Sequence, residues 1–205
     1  MDDRPWYIVF AGVNGSGKST LYRTNLWRTP GMPTSMPRVN PDELLSANGG
    51  NASSARDQIQ AGKEALALID GHFAHRRSFN HETTLTGHRA LKNLARAHQE
   101  GYRVRLFYIG VASEDIAIDR IAHRAALGGH DIEEAFVRRR YRASLTNFSK
   151  ALAWCEEAQV FDNTTAFKCI AVWSKGTHAW WGASNTTGNW LPSAMLDGTV
   201  WKRTG

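Results

Sequence analysis

Short apolar runs alternate along this chain with amphipathic stretches, and the alternation predicts an α/β fold. Tyr7-Ile8-Val9-Phe10-Ala11 is a continuous apolar run rich in β-formers that stops at glycine, the pattern of a buried parallel strand. Ser19 to Trp27 reads as a helix, and Arg38-Val39-Asn40 ends a second short strand with Pro41 at its boundary. Between Ser53 and Phe73, the residues Ile59, Leu66, Ile69 and Phe73 recur on one helical face. Ser78 to Thr83 is a third strand, and Leu91, Leu94 and Ala95 mark the next helix. Arg103 to Ile109 is a fourth strand, followed by a helix marked by Ile118, Ile121, Ala122 and Ala125. Gly128-Gly129 breaks that helix, a new one starts near Asp131, and Gln159 to Asp162 is a late strand. Strands alternating with helices imply a parallel sheet sandwiched by helices.

The last part of the chain has a different texture. Lys168 to Trp173 and Thr177 to Trp181 flank Ser174-Lys175-Gly176, which predicts a C-terminal hairpin. Trp180, Trp181, Trp190 and Trp201 follow with few charges between them, a Trp-rich tail expected to pack onto the sheet edge. Neither a repeat nor a linker divides the 205 residues, so one domain is expected over 1–205, with the hairpin and tail at about 167–205.

Composition narrows the partners. Apolar residues make up 42% and charged residues 21%, ordinary values for a globular chain. No apolar run approaches the ~20 residues that span a bilayer. The start, Met1-Asp2-Asp3-Arg4, lacks the basic and apolar regions of a secretory signal. Cys155 and Cys169 have no metal-type spacing and read as two reduced thiols of a cytoplasmic protein. The net charge of +6 is arginine-rich and lies mostly outside the termini, so it serves either a polyanionic ligand or a nucleic-acid surface.

The positions of the arginines decide between these below, and Gly12-Val13-Asn14-Gly15-Ser16-Gly17-Lys18-Ser19 first establishes nucleotide binding without saying what accepts the phosphate. It matches G-x-x-x-x-G-K-[ST] in full, after a predicted strand and at the start of a predicted helix. The glycines let backbone N–H groups wrap around phosphates, and the helix that follows adds its positive end. Lys18 reaches the terminal phosphates as a point charge, and Ser19 offers a hydroxyl to Mg²⁺. Gly12, Asn14, Gly15, Ser16, Gly17, Lys18, Ser19 and Thr20 are therefore the expected ATP-binding set, with Ser19 the metal ligand.

Two further segments end strands on the side where open α/β sheets bind ligands, and each delivers a carboxylate. In Asn40-Pro41-Asp42-Glu43, Asp42 is the candidate general base for an acceptor hydroxyl, the alternative being a helix N-cap. In Asn80-His81-Glu82-Thr83-Thr84, Glu82 is placed to hold the water shell of Mg²⁺ or to meet the acceptor, the alternative being a structural carboxylate; His81 reads as structural. Arg120 and Arg124 lie four apart on one helix, and Arg138, Arg139, Arg140 and Arg142 follow after the glycine break. That arrangement over about 120–142 predicts a lid whose arginines balance charge on the transferred group.

Together these motifs resemble the zeta toxin family of P-loop kinases, above all its short bacterial relatives. The resemblance runs through Ala11 to Thr20, Val39 to Leu44, Phe79 to Thr84 and Gly101 to Tyr108. It continues through Arg120 to Arg124, Gly128 to Ile132, Arg138 to Tyr141 and Phe161 to Thr164. It implies a P-loop kinase fold and ATP- and Mg²⁺-dependent phosphorylation of a sugar hydroxyl of UDP-N-acetylglucosamine or a related nucleotide sugar. A separate antitoxin protein is the implied partner, and neither membrane nor nucleic acid is. On the resemblance Asp42 is the base, Lys18 the phosphate lysine, and Arg120 or Arg124 the lid arginine. Glu82, Thr83 and Arg138 would serve the acceptor, and Asn163, within Asp162-Asn163-Thr164, would lie near the adenine. The chain is shorter than the longer toxins, with little room for their extended sugar-binding segments. The competing readings are an antibiotic-type phosphotransferase, a polynucleotide 5′-kinase and a non-catalytic ATP-binding regulator.

Overall fold

The computed structural model describes residues 3–127, 132–174, 177–181 and 188–191. The expected glycine break at Gly128-Gly129, the hairpin turn at Lys175-Gly176 and most of the tail, including Trp201, lie outside the described residues.

Strand β1 (Trp6–Ala11) is buried along its whole length and leads into α1 (Lys18–Thr24). Strand β2 (Arg38–Val39) leads into α2 (Pro41–Ala47), and α3 (Ala55–Ala74) precedes β3 (Phe79–Thr83). Helix α4 (His88–Gln99), β4 (Arg103–Gly110), α5 (Glu114–Ala126), α6 (Glu134–Ala151) and β5 (Glu157–Asp162) complete the alternation. Strands β6 (Lys168–Ser174) and β7 (Thr177–Trp181) follow. The seven strands form one sheet in the order β2-β3-β1-β4-β5-β6-β7. The first five run parallel, and β6 and β7 extend the sheet as the antiparallel hairpin that the sequence predicts.

Successive residues of β1 serve opposite faces of the sheet. Tyr7, Val9 and Ala11 join a core with Ala65, Ile69 and Phe73 of α3, Leu94 of α4 and Phe148 of α6. Trp6, Ile8 and Phe10 join another with Leu21, Trp27 and Phe107. A third cluster, Val13, Val111, Ala117, Ile121 and Val137, ties α5 and α6 to the phosphate loop.

Three expectations are corrected. Helix α1 stops at Thr24 rather than Trp27, because Asn25 takes a left-handed turn with φ 57°. That turn swings Trp27 back against Phe10, at 5.2 Å between ring centres, and its indole donates to Tyr22 O at 2.8 Å. The buried face of α3 is carried by Ala61 and Ala65 with Ile69 and Phe73, while Ile59 is 60% exposed. The helix passes close to its neighbours through alanines, so the larger residues nearby in sequence fall outside the contact. On α5 the buried residues are Ala117 and Ile121, and Ala122 is exposed.

Candidate active site

The phosphate loop sits between the end of β1 and the start of α1, with its conformation dictated by glycine. Gly12, Gly15 and Gly17 have φ of 139°, 77° and 102°. A Cβ on Gly12 would stand 2.1 Å from the Ile109 carbonyl, and one on Gly17 would stand 2.5 Å from the Asn163 amide. No other residue fits either place. Asn163 donates to the Ser16 carbonyl at 2.8 Å, which stitches the loop after β5 to the phosphate loop.

Lys18 is 7% exposed, and its ammonium donates to the Val13 carbonyl at 3.0 Å. Burial pulls its pKa down; Glu82 and Asp42 oppose that shift, and Arg124 and Arg140 add to it. Ser19 donates its hydroxyl to both Glu82 oxygens, at 3.0 and 2.9 Å, and Lys18 lies 3.9 Å from the same carboxylate. Thr20 is exposed on the first turn of α1. Arg38 closes the other side of Glu82 with a short hydrogen bond, while its Nε donates to Glu43 at 2.9 Å. Its guanidinium stacks 3.7 Å from the centre of the Tyr22 ring. Glu82 is thus the buried hub of a Ser19–Lys18–Arg38 network. The hydroxyl and carboxylate pair fits Mg²⁺, a hard cation that takes one or two protein oxygens beside phosphates and water.

Asp42 faces the same cleft, which encloses about 640 Å³. The cap of α2 is Asn40, whose side chain accepts from Asp42 N at 3.0 Å. Capping therefore falls to Asn40, and the Asp42 carboxylate is exposed and makes no hydrogen bond among the described residues. Thr83 and Thr84 line the cleft too. Thr83 accepts from Leu85 N at 3.1 Å, which orders the turn after β3. His81 lies on the cleft floor, its Nδ1 3.0 Å from the Tyr7 hydroxyl. Burial, with Arg38 adding to it, drives the imidazole down to about 4, so it is neutral near pH 7.

The arginines separate by position. Arg124 and Arg140 line the cleft, and Arg140 donates to Asn14 of the phosphate loop at 3.0 Å. Arg120, expected over the transferred phosphate, is instead a strut. It donates to the Asn163 and Thr164 carbonyls at 2.7 and 3.1 Å and reaches Gly15 O at 3.5 Å. Arg138, expected at the acceptor, turns away from the cleft and pairs with Glu114 at 3.0 Å and Asp115 at 2.8 Å. Two positions along a helix rotate a side chain by about 200°, so Arg138 and Arg140 cannot share a face.

Two contributors escaped sequence reasoning. Arg38 touches Glu82 because β2 pairs in parallel with β3, placing Arg38 opposite Asn80. The only signal was a basic residue two places before Asn40. Trp190 donates its indole N–H to Asp162 at 3.0 Å, and Gly188 N donates to the same oxygen at 2.9 Å. Asp162, placed near the adenine by the resemblance, therefore holds the tail, and its neighbour Asn163 meets the phosphate loop.

The sheet, its flanking helices and the phosphate loop make a P-loop NTPase/kinase-like fold. Residues 8–150 match the protein family described as an AAA domain. An uncharacterised protein of Haemophilus influenzae is 34% identical over 137 residues, 65% of this chain and 91% of its own length. Among solved structures, the PezAT chromosomal toxin–antitoxin system of Streptococcus pneumoniae superposes with a TM-score of 0.62 at 19% identity. That match covers 98% of this chain and 86% of the other. AvrRxo1-ORF1:AvrRxo1-ORF2 with ATP gives a TM-score of 0.62 at 14% identity, over 98% of this chain and 65% of that one.

Proposed function

This chain belongs to the AAA domain family, and from that footing we propose that it is an ATP- and Mg²⁺-dependent kinase acting on a hydroxyl of a small molecule. The observation that carries the reading is the placement of Asp42 and Lys18 on one cleft, with Asn40 relieving Asp42 of capping. A protein that only bound nucleotide would have no need of a second carboxylate facing its phosphate lysine. The likeness to a structure solved with ATP supports that nucleotide.

Asp42 accepts the proton of the acceptor hydroxyl as its oxygen forms a bond to the γ-phosphorus. The bond from that phosphorus to the β–γ bridging oxygen breaks, and ADP leaves. Lys18, Arg124 and Arg140 balance the charge on the transferred group, and α5 and α6 carry those two arginines over the cleft. Arg120 and Asn163 hold the loop after β5 against the phosphate loop and so shape the nucleotide site. Mg²⁺, held through Ser19 with Glu82 beside it, would supply charge neutralisation at the phosphates.

The zeta toxin resemblance and the PezAT likeness support two finer readings, a nucleotide sugar as acceptor and a separate antitoxin protein as partner. The test is incubation with labelled ATP and Mg²⁺ against nucleotide sugars, free sugars, aminoglycoside and phenicol antibiotics, and oligonucleotides. Labelled product identified by mass spectrometry is the expected outcome. ATP binding without transfer to any class would reduce the protein to a nucleotide binder.

A further inference from the structure

The imidazole of His81 turns one nitrogen to the core and the other to the cleft. Tyr7 is fully buried, and its hydroxyl makes a single hydrogen bond among the described residues, to His81 Nδ1 at 3.0 Å. A buried O–H that finds no acceptor is costly, so Tyr7 donates and Nδ1 accepts. A neutral imidazole that accepts at Nδ1 carries its proton at Nε2. A charged ring would carry a proton there as well, so the Nε2–H donor is present in either state.

His81 is 7% exposed and lines the cleft. Its Nε2 makes no hydrogen bond among the described residues, yet it is not one of the buried nitrogens left without a partner. Nε2 therefore opens onto the cleft. The sheet fixes its place there. His81 stands between Val9 of β1 and Val39 of β2, and Asp42 follows Val39 by three residues. Neighbouring residues of a strand point to opposite faces, so Glu82 turns to Ser19 and Arg38 while His81 turns to Tyr7.

We infer that His81 is a specificity-determining residue whose Nε2–H, held in place by Tyr7, donates to an uncharged oxygen of the acceptor beside Asp42. This rests on the kinase reading above and deepens it. The Asp42 carboxylate can only accept from the acceptor hydroxyl, and His81 supplies the complementary donor. A hydroxyl, ether or carbonyl oxygen meets the requirement, and an N-acetylated sugar carries all three. An acceptor that filled the cleft without an oxygen there would strand a buried donor, which is how a site built around a hydrogen bond rejects the wrong compound.

Two substitutions separate the nitrogens. Glutamine sets its amide nitrogen near the place of Nε2, and asparagine sets its amide near the place of Nδ1. The full chain, saturated with a non-hydrolysable ATP analogue and Mg²⁺, is titrated with UDP-N-acetylglucosamine. His81→Gln should bind it within about threefold of wild type, and His81→Asn about tenfold more weakly. Melting temperatures should run in the opposite order, because only asparagine keeps a partner for the Tyr7 hydroxyl. Equal affinity in the two variants, or binding kept by asparagine and lost by glutamine, would overturn the assignment. The proton itself is located without any acceptor, by ¹⁵N NMR of the imidazole. It should sit on Nε2 in the wild type and divide between the two nitrogens in Tyr7→Phe. Where UDP-N-acetylglucosamine does not bind the wild type, this measurement decides: a proton on Nε2 supports the assignment, and one on Nδ1 sinks it. Phosphoryl transfer from ATP is measured separately. Its absence with every compound counts against the kinase reading and leaves the binding order and the position of the proton standing.

Discussion

Replacing Asp42 with Asn isolates proton acceptance from every other contribution of that residue. Asn40 supplies the cap of α2, so the substitution leaves the hydrogen bond at the helix start intact. The carboxylate is exposed and makes no hydrogen bond among the described residues, which limits the structural cost. What is lost is a negative charge on the first turn of a helix, about 0.3–1 kcal/mol. The melting temperature should fall by a few degrees at most. For the nucleotide, two effects oppose each other. Lys18 loses a neighbour that favours its charged form, and the phosphates lose a like charge across the cleft. The affinity for an ATP analogue should therefore stay within a few-fold of wild type. Turnover should behave differently, because an amide cannot take a proton near pH 7. General-base assistance contributes about 10²–10⁴-fold, or about 3–5 kcal/mol of barrier. The assay pairs titration calorimetry of the ATP analogue with mass-spectrometric rates of acceptor phosphorylation. A rate loss in that range with nucleotide affinity and melting temperature preserved is the expected result. Full activity in Asp42→Asn would refute the reasoning and leave Glu82 as the remaining carboxylate near Lys18, already committed to Ser19 and Arg38. Parallel loss of nucleotide affinity and rate would assign Asp42 to the nucleotide instead.

Lys18→Ala should leave the chain folded, since Glu82 keeps Arg38 and Ser19, and should lower the rate of phosphoryl transfer by about 10²-fold or more; a well-folded variant with unchanged transfer would remove the phosphate-loop mechanism. Arg124→Ala and Arg120→Ala should part in their effects. The first should cut turnover, and the second should weaken binding of an ATP analogue by freeing the Asn163–Thr164 turn, read by calorimetry and steady-state rates. Trp190→Phe removes an indole donor from Asp162 and should cost about 1.5–3 kcal/mol in denaturant unfolding near pH 7. Burial alone would raise the Asp162 pKa, but hydrogen bonds from Thr164, Trp190 and Gly188 outweigh it and hold the carboxyl below its ordinary 3.8. That stabilisation is present above pH 3.8 and is lost as pH falls through the lower folded value, so the difference from wild type should shrink in acid. A pH-independent difference would mean that Trp190 acts through packing, its ring centre lying 6.1 Å from that of Tyr108.

Local rules made much of this protein legible in its sequence. The glycine spacing from Gly12 to Gly17 could be read directly, because the backbone there needs conformations that only glycine adopts freely. The alternation of apolar strands and amphipathic helices could be read because burial on two faces of a sheet imposes its own periodicity. Proline punctuation placed Asp42 just past the end of β2, and the apolar strand pattern placed Glu82 near the carboxyl end of β3. Where those carboxylates point, and what holds them, depends on strand order. Arg38 reaches Glu82 through parallel pairing of β2 with β3, a contact between residues 44 apart that no local pattern encodes. Arg140 rather than Arg138 turned to the cleft because the azimuth of α6 is set by Val137 and Phe148 packing inward, while a run of three arginines offers no phase of its own. Arg120 became a strut because β5 lies beside β4 and brings the Asn163 and Thr164 carbonyls within its reach. Side-chain chemistry and chain-local spacing determined the nucleotide site, and tertiary packing alone decided which charges face one another across the cleft, since Coulomb and hydrogen-bond energies depend on distances in space.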